Sequence, residues 1–398
     1  MILTNLTLVN FRNYAHLEMG FPRGVVVLAG SNAQGKSNLL EAIYYLATSR
    51  SYRGAGDREI VNWEADSPAV MRLQASVRRK QGNVRIEIAV HTATAMDYAA
   101  QPLPGEEAGA FLADHISRKR VRINEVVHRV RDLVGQMTAV IFAPEDVELV
   151  SGAPVLRRRY LDILNSQLDP AYLRALQRYH RILVQRNHLL RHMRGRPDRA
   201  GELVFWNNGL VETGSYILLQ RERAIGQLQG IAHQLHLQLT GGHEELSLSY
   251  LPSIGRAEAE PQSQEAAFRE AVAKMQSREI AQGVSLVGPH RDDLRFLVAG
   301  KDVGVFGSRS QQRTVALSLK LAETEFMRRV RDDSPVLLLD DAFSELDAAR
   351  RHHLTEFICR YQQVFITVTD LDRLEKDLLE RAILYRVEQG VVEPLKTE

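Results

Sequence analysis

A glycine-containing loop near the start of the chain, GSNAQGKS at 30–37, constrains the fold more than any other segment. It follows an apolar run at 25–29 that is typical of a buried strand, and apolar residues at helical spacing come after it. The loop completes the pattern G-x-x-x-x-G-K-[ST] with Gly30, Gly35, Lys36 and Ser37. Because glycine has no Cβ, backbone N–H groups can surround an anion at the positive end of the helix. The sequence therefore predicts a phosphate loop that binds ATP or GTP.

The residues of this loop have separate expected roles. Lys36 is expected to reach the β- and γ-phosphates, and the Ser37 hydroxyl is expected to ligate Mg²⁺. The other positions offer backbone N–H groups to the phosphates. The predicted nucleotide-binding residues of the loop are Gly30, Ser31, Asn32, Ala33, Gln34, Gly35, Lys36 and Ser37.

A second nucleotide element is predicted far downstream, in SPVLLLDDAFSELD at 334–347. Its continuous apolar run is typical of a strand that is buried on both faces of a parallel sheet. Asp340 at the end of this run would hold Mg²⁺, and Asp341 would orient the attacking water. Together with Lys36, these two acids are the predicted catalytic residues.

About 300 residues separate the two nucleotide elements, so a large insertion is expected between them. Polar and apolar residues alternate at 70–77 and 85–90, which predicts half-exposed strands in a β layer. The segment 93–110 has neither helical nor strand period and is interpreted as a surface loop. From Pro154 the pattern becomes helical. The predicted domains are the first part of an ATPase head at 1–150, a helical arm at 151–284 and the second part of the head at 285–398.

The arm is expected to contain a long helix with an apolar stripe at alternating spacings of three and four residues. This stripe fits both a short helical arm and ordinary core packing. Its members are Ile225, Leu228, Ala232, Leu235 and Leu239.

Positive charge is concentrated in two segments, although the net charge of the chain is only +2. Residues 157–199 hold eleven arginines against three aspartates, and 118–131 hold six Lys/Arg against one glutamate. Such local excess attracts a polyanion through counterion release and favours DNA as a partner. Solvated helical faces and structural ion pairs are the alternatives for any single arginine. The candidate DNA-binding residues are Arg157, Arg158 and Arg159.

A third element precedes the acidic strand: GSRSQQ at 307–312 opens a long helix with a small-residue loop. A loop that leads into a helix N-terminus is a second anion-binding device. One triphosphate needs only one such device from its own chain. The economical interpretation is that this loop faces a nucleotide held by another copy, which would create two composite sites in a two-fold dimer.

This series of elements resembles the ABC-type ATPase heads of transporters and SMC proteins. Further segments resemble the RecF family of bacterial recombination mediators, namely LVNFRNY at 8–14, FAPEDVELVSGAPVLRRRYLD at 142–162, WNNGLVETG at 206–214, VGPHRDD at 287–293 and GSRSQQRTVALSLKLAE at 307–323. The resemblance implies an α/β fold, in which an ABC-type P-loop ATPase head with a parallel or mixed sheet and an antiparallel β layer carries an inserted helical arm domain.

The same resemblance implies a function and a set of partners. The family consists of ATP-dependent DNA-binding dimers that act with RecO and RecR to load RecA at gaps and single-strand/double-strand junctions. A weak, DNA-stimulated ATPase of ABC type would serve as the release switch, with ATP and Mg²⁺ as cofactors.

The resemblance also assigns roles that spacing alone does not. Arg12 would contact the nucleotide, Ser308 and Gln311 would reach the γ-phosphate of the opposing subunit, and Asp347 would be a dimer contact. Ser308 would therefore lie at the dimer contact as well. Two positions depart from the family pattern. Ser310 stands where glycine is usual, and the strand QQVFITVTD offers Thr367 and Thr369 where transporters place a switch histidine.

The N-terminal sequence predicts a cytoplasmic protein without a membrane span. The first twenty residues contain no uninterrupted apolar segment, so neither a secretory signal nor a membrane span is expected. The lone cysteine, Cys359, excludes an intrachain disulfide and is expected to be a small core residue. Two other functions stay open, the nucleotide-binding subunit of a membrane ABC transporter and a small-molecule phosphotransferase. ATPase activity that is stimulated by DNA would distinguish an ATP-driven DNA-binding protein from these two functions.

Overall fold

The computed structural model describes residues 1–65, 69–92, 117–194, 201–255 and 261–395. The predicted surface loop at 93–110 lies outside them. The strands are β1 Ile2–Phe11, β2 Tyr14–Gly20, β3 Gly24–Ala29, β4 Val70–Arg79, β5 Gly82–Thr92, β6 Ser117–Ile123, β7 Val126–His128, β8 Ala139–Phe142, β9 Leu246–Leu251, β10 Asp293–Val298, β11 Lys301–Asp302, β12 Val336–Asp340, β13 Gln363–Val368, β14 Ile383–Glu388 and β15 Val391–Pro394. The helices are α1 Lys36–Thr48, α2 Val130–Leu133, α3 Val147–Ser151, α4 Pro154–Leu168, α5 Pro170–His192, α6 Val204–Leu239, α7 Pro261–Gln282, α8 Val303–Phe306, α9 Arg309–Arg331, α10 Ala348–Ile358 and α11 Lys376–Arg381.

The chain forms two compact units. The head unit comprises 1–144 and 327–398, and the inserted unit comprises 145–326. Residues 285–326, which the sequence analysis assigned to the ATPase head, pack with the inserted unit, because β10 pairs with β9 along its whole length. The division of the chain into functional domains stays a prediction.

A mixed sheet forms the centre of the head unit, in the order β15-β14-β3-β13-β12-β8. All neighbouring pairs are parallel except β14 with the edge strand β15. Every residue of β12 and β13 is buried, and for β12 this confirms what its continuous apolar run predicts. Since β13 lies between β3 and β12, the phosphate loop after β3 and the acids after β12 meet at one edge across β13.

A six-stranded antiparallel sheet forms the second layer of the head unit, in the order β2-β1-β4-β5-β6-β7. In β4 the predicted alternation is confirmed, because Met71, Leu73, Ala75 and Val77 are buried whereas Arg72 is exposed. The helix α1 contacts strands of both sheets, and its apolar residues are buried between them. These features confirm the predicted α/β head with an antiparallel β layer.

The inserted unit is mainly helical and contains one small antiparallel sheet, β11-β10-β9. Its core lies between α5, α6 and α7, where Tyr179, Leu210 and Phe268 are almost completely buried. A Cβ at Gly214 would stand only 2.3 Å from the Phe268 ring, so no larger side chain fits there. In the apolar stripe of α6, Leu235 is half-buried and the other four members are buried. Because α6 contacts α5, α7 and β9, the stripe is core packing.

Buried polar groups connect the family segments of the inserted unit. The Arg221 guanidinium donates to Asp162 Oδ1 at 2.7 Å and to the Pro289 carbonyl at 2.7 Å. The Tyr179 hydroxyl lies 2.6 Å from His290 Nδ1, and burial lowers the pKa of His290 to about 4. Residues 145–162 and 287–293, which belong to two of the family segments, are therefore brought together as structural elements of this unit.

One expectation about the core was wrong. Cys359 is exposed, because it stands at the C-terminal end of α10 after the buried Ile358.

Candidate nucleotide-binding site

The phosphate loop of the head unit depends on its two glycines. Gly30 has φ +159°, and a Cβ there would lie 2.3 Å from the Val387 carbonyl oxygen. Gly35 has φ +114°, and a Cβ there would lie 2.6 Å from Asn13 Nδ2. At Gly30 the close backbone carbonyl excludes a larger residue, and at Gly35 the left-handed φ together with the close side chain favours glycine. The Ser31, Asn32 and Ala33 side chains between them are exposed.

Side chains and backbone from elsewhere in the head unit hold the loop in place. The Gln34 carbonyl accepts hydrogen bonds from Asn13 Nδ2 at 3.1 Å and from the Gly390 N–H at 3.0 Å. The Tyr14 hydroxyl donates to the Gly35 carbonyl at 3.0 Å. Carbonyl groups that are engaged in this way cannot turn toward an anion, which leaves the N–H side of the loop to face a phosphate.

Lys36 is buried and folded across its own loop. Its Nζ donates to the Gly30 and Ser31 carbonyls, both at 2.7 Å. Burial lowers the pKa of the Lys36 ammonium, and the nearby Asp340 and Asp341 carboxylates oppose that shift. The Lys36 ammonium is therefore held against its own loop by two uncharged carbonyl groups.

Three hydroxyl groups converge on Asp340 at the end of β12. Ser37 Oγ and Thr367 Oγ1 each donate to Asp340 Oδ1 at 2.7 Å, and the Tyr52 hydroxyl donates to Oδ2 at 3.1 Å. The predicted metal ligands Ser37 and Asp340 are thus in direct contact, although they are 303 positions apart in the chain. A hydroxyl beside a carboxylate is the oxygen donor set that Mg²⁺ prefers, so these residues fit the predicted ion.

Asp341 follows Asp340 in an unusual backbone conformation, with φ +50°. Its N–H donates to Thr367 Oγ1 at 2.9 Å, and the Thr367 hydroxyl in turn donates to Asp340. Thr367 therefore holds both predicted acids from the strand between the two nucleotide elements. From the sequence, Thr367 stands out only as a departure from the transporter pattern. Tyr52 could not be predicted, since no pattern connects that residue with the acidic strand.

Arg12 is engaged inside the head unit. Its Nε and Nη2 donate to the two oxygens of the fully buried Glu41 at 3.0 and 2.8 Å, and its Nη1 donates to the Glu59 carbonyl at 2.9 Å. This fork ties the end of β1 to the helix α1, which begins in the phosphate loop. A contact between Arg12 and the nucleotide stays a prediction.

In the inserted unit, Ser308 and Gln311 form a reciprocal pair at the start of α9. The Gln311 N–H donates to Ser308 Oγ at 3.2 Å, and the Ser308 N–H donates to Gln311 Oε1 at 3.0 Å. This is a capping box, which satisfies two backbone donors that a helix start leaves unpaired. Gln311 Nε2 also donates to Glu244 at 2.8 Å. The S-x-x-Q spacing thus has a local structural role, and its predicted role toward a γ-phosphate stays untested.

Asp347 in the head unit is the N-cap of α10. Its carboxylate accepts a hydrogen bond from the Arg350 N–H at 2.9 Å, and its side chain is 58% exposed. This exposure is compatible with the predicted dimer contact.

The three candidate DNA-binding arginines of α4 differ in their surroundings. Arg158 and Arg159 are half-buried, and their contact with DNA stays a prediction. Arg157 is buried: its guanidinium donates to both oxygens of Asp293, at 2.7 and 3.1 Å, and to the Gly152 carbonyl at 2.7 Å. Arg158 Nη1 donates to the Asp292 carbonyl at 2.8 Å, and burial lowers its pKa. For Arg157 the geometry favours the structural ion pair that the sequence analysis kept open.

Two features are absent from the described part of the chain. No described helix combines the length and apolarity that crossing a membrane requires. Within the same residues, no group of three or more His, Cys, Asp or Glu side chains is arranged to hold a metal ion.

Comparison with known proteins gives matches over nearly the whole chain. The sequence profile of the family described as RecF/RecN/SMC N terminal domain matches residues 2–392. The protein called DNA replication and repair protein RecF in Chloroflexus aggregans is 44% identical, over 98% of this chain and 99% of its own length. The protein of that name in Chloroflexus aurantiacus is also 44% identical, over the same two shares.

Solved structures match in the same way. A structure described as the recombination mediator protein RecF-ATP in the RecFOR pathway superposes with a TM-score of 0.84 at 29% identity, covering 99% of this chain and 97% of that one. An Smc head domain from Pyrococcus furiosus superposes with a TM-score of 0.53 at 13% identity, covering 100% of this chain and 96% of that one, and shows a similar fold.

Proposed function

This chain belongs to the RecF family of DNA replication and repair proteins, and on that basis we propose that it is a DNA-binding protein that dimerises on ATP and acts in recombinational repair and replication restart. In this role it helps to load RecA at gaps and single-strand/double-strand junctions, together with RecO and RecR. The RecFOR pathway named for its structural relatives supports these partners. The observation that carries the proposal is the contact of the phosphate-loop Ser37 with Asp340 at 2.7 Å.

The cis half of the proposed site consists of head-unit residues alone. On ATP binding, Lys36 exchanges its two carbonyl acceptors for β- and γ-phosphate oxygens, which are stronger acceptors because they are charged. Ser37 and Asp340 would hold Mg²⁺, which would neutralise phosphate charge. Thr367 and Tyr52 hold the Asp340 carboxylate in place through their hydroxyl groups.

Asp341 is the proposed base for hydrolysis. Asp341 is half-exposed and directly follows Asp340. Its φ is +50°, and its N–H donates a hydrogen bond to Thr367 Oγ1. An oriented carboxylate can accept the proton of an attacking water. We expect slow turnover, because hydrolysis here acts as a timer that releases DNA.

The trans half of the site is proposed to come from the signature loop of a second copy. Ser308 is exposed, and the preceding Val305 and Phe306 are 70% and 76% exposed. Exposed large apolar side chains beside such a loop favour a surface that becomes covered on association. A few charge-assisted hydrogen bonds to each γ-phosphate, at about 1.5–3 kcal/mol apiece, would shift dimerisation by several orders of magnitude. Hydrolysis removes these bonds and the dimer opens.

Mixing two inactive variants tests the composite site. Lys36→Met damages the cis half and Ser308→Arg the trans half, so each homodimer lacks an intact site, while a mixed dimer has one complete site. ATPase activity that returns on mixing supports the proposal. As a control, Lys36→Met is mixed with the parent protein, and the rate of the parent protein alone is subtracted. Background activity at every ratio, with mixed dimers shown by sedimentation, would remove the trans assignment.

DNA contact is proposed for the exposed arginines of the inserted unit. Arg174 and Arg181 are exposed and seven residues apart, so they lie on one face of α5 two turns apart. Phosphate contacts from such a face depend on salt and carry no base readout. DNA binding whose affinity does not depend on salt would contradict this proposal.

A further inference from the structure

Gln311, which is proposed to reach the γ-phosphate in a second copy, is held by a polar network inside the inserted unit. Its Nε2 donates to Glu244 Oε1 at 2.8 Å. The other carboxylate oxygen, Glu244 Oε2, lies 3.3 Å from His236 Nε2, and His236 Nδ1 lies 2.9 Å from Ser318 Oγ. Gln311 is half-buried, whereas His236 is completely buried. The network therefore connects an accessible side chain at the start of α9 with a buried imidazole.

The hydrogen bonds between Ser308 and Gln311 leave two donor hydrogens for a ligand. Ser308 Oγ accepts from the Gln311 N–H, and a hydroxyl that accepts in this way keeps its own hydrogen. Gln311 Oε1 accepts from the Ser308 N–H, so the amide nitrogen of Gln311 points to Glu244. One hydrogen of this nitrogen is bonded to Glu244, and the second is available. A phosphate oxygen can accept from both remaining donors.

The Glu244 carboxylate would oppose such a ligand if its charge were not neutralised. Two acceptors of one amide nitrogen, each about 2.9 Å from it, lie about 5 Å apart. A phosphate that accepts from Gln311 Nε2 would therefore lie close to the Glu244 oxygen that accepts from the same nitrogen. At this distance two negative charges repel each other. The charge of the His236–Glu244 pair thus decides how well an anion binds.

The hydrogen-bond pattern places one proton between His236 and Glu244. The Ser318 hydroxyl donates to the Thr314 carbonyl at 2.7 Å, so Ser318 Oγ accepts from His236 Nδ1, which carries a hydrogen. The bond between His236 Nε2 and Glu244 Oε2 needs a further hydrogen, on either the imidazole or the carboxyl group. In both cases the pair has no net charge.

We propose that Glu244 and His236 are positioning residues of the trans half of the ATP site. Glu244 orients the Gln311 amide, and His236 cancels the charge of the carboxylate that does so. Both roles depend on the proposed function, in which the signature loop reaches the γ-phosphate of a second copy. They extend the trans half beyond that loop, because Glu244 lies shortly before β9 and His236 lies in the last turn of α6.

Sedimentation with a slowly hydrolysed ATP analogue and Mg²⁺ tests the role of Glu244. Glu244→Ala removes the acceptor of the Gln311 amide and should weaken nucleotide-dependent dimerisation about tenfold or more. Glu244→Gln keeps an acceptor oxygen and should dimerise within about threefold of the parent. Glu245→Ala removes the neighbouring exposed acid and serves as the matched control. Binding of a fluorescent ATP analogue to the monomer should be equal in all variants, since Lys36 lies in the head unit.

The role of His236 is tested by a substitution and its rescue. In His236→Gln the amide can still donate to Glu244 but leaves the carboxylate negative, so dimerisation should weaken about tenfold. The double variant His236→Gln/Glu244→Gln has no such charge and should return to within about threefold of the parent. If His236 only supported the core, the second substitution would restore nothing. Thermal melting verifies folding, and if His236→Gln does not fold, the comparison of Glu244→Ala with Glu244→Gln decides.

Three outcomes overturn the proposal. When Ser308→Arg blocks dimerisation and Glu244→Ala equals the parent, the positioning roles are wrong while the proposed trans site stands. A double variant that dimerises no better than His236→Gln refutes the neutralising role of His236. When Ser308→Arg dimerises like the parent, the trans site itself is wrong and both positioning roles are refuted with it.

Discussion

Thr367→Val isolates the hydroxyl group that joins the two acids of the nucleotide site. Thr367 is 1% exposed and accepts from the Asp341 N–H while it donates to Asp340 Oδ1. Valine has nearly the same shape, so the substitution removes these two hydrogen bonds without opening a cavity. Thr367→Ser is the matched control, because it keeps the hydroxyl and loses only a methyl group.

The expected loss of stability follows from the two hydrogen bonds that the Thr367 hydroxyl makes. A hydrogen bond to a charged carboxylate contributes about 1.5–3 kcal/mol, and an unpaired buried N–H costs about 1–3 kcal/mol. Asp340 keeps Ser37 and Tyr52, so we expect the lower part of the summed ranges, a loss of about 2.5–4 kcal/mol in the free energy of unfolding. The serine control should lose about 1 kcal/mol, the value of a buried methyl group.

In the valine variant, the rate of hydrolysis should fall although ATP affinity is nearly unchanged. ATP affinity should change little, since Lys36, Ser37 and the loop glycines are untouched. Hydrolysis should fall by about 10²-fold, because about 2.7 kcal/mol of positioning of Asp341 is lost. Urea unfolding, calorimetric ATP titration and single-turnover hydrolysis, all below the unfolding transition, measure the three quantities. A valine variant that equals the serine variant in both stability and rate would refute the role of the hydroxyl.

Four further predictions concern single groups. Lys36→Met should lower ATP affinity at least about 10²-fold, because two charge-assisted bonds to phosphate are lost; unchanged affinity in a calorimeter would refute this. Asp341→Asn should keep ATP binding while hydrolysis falls about 10²- to 10⁴-fold, and a parental rate would show that Asp341 is not the base. Arg157→Ala should destabilise the fold by about 2–4 kcal/mol, since it leaves Asp293 without its partner, and should not change the salt slope of DNA binding. Arg174→Ala/Arg181→Ala should lower that slope by up to about 1.8 at unchanged stability; an unaltered slope would exclude α5 as the DNA face.

Patterns that involve neighbours in the chain could be interpreted from the sequence. The phosphate loop follows from local chemistry, because the close approach at Gly30 and the positive φ at Gly35 favour glycine. The strand β12 follows from its apolar run, and the β4 alternation follows from having one face buried. The S-x-x-Q pattern at Ser308 could also have been interpreted as a capping box, since that motif is local.

Contacts between distant segments needed the tertiary structure. Tyr52 reaches Asp340 over 288 positions, and nothing in a loop sequence indicates such a partner. Arg157 looked like one of several surface arginines, yet Asp293 neutralises it 136 positions later. Whether an arginine faces solvent or an acid depends on which strand is packed beside it, and helix periodicity contains no such information.

The sequence by itself determined the phosphate-loop motif, the strands β4 and β12 and the family of this protein, because each depends on residue types at short spacing. Only the tertiary structure decided which hydroxyls hold Asp340, that Arg12 pairs with Glu41, and that Arg157 pairs with Asp293. The physical reason is that hydrogen bonds and charge pairs act over a few ångströms in space. The fold alone decides which distant residues come within that distance.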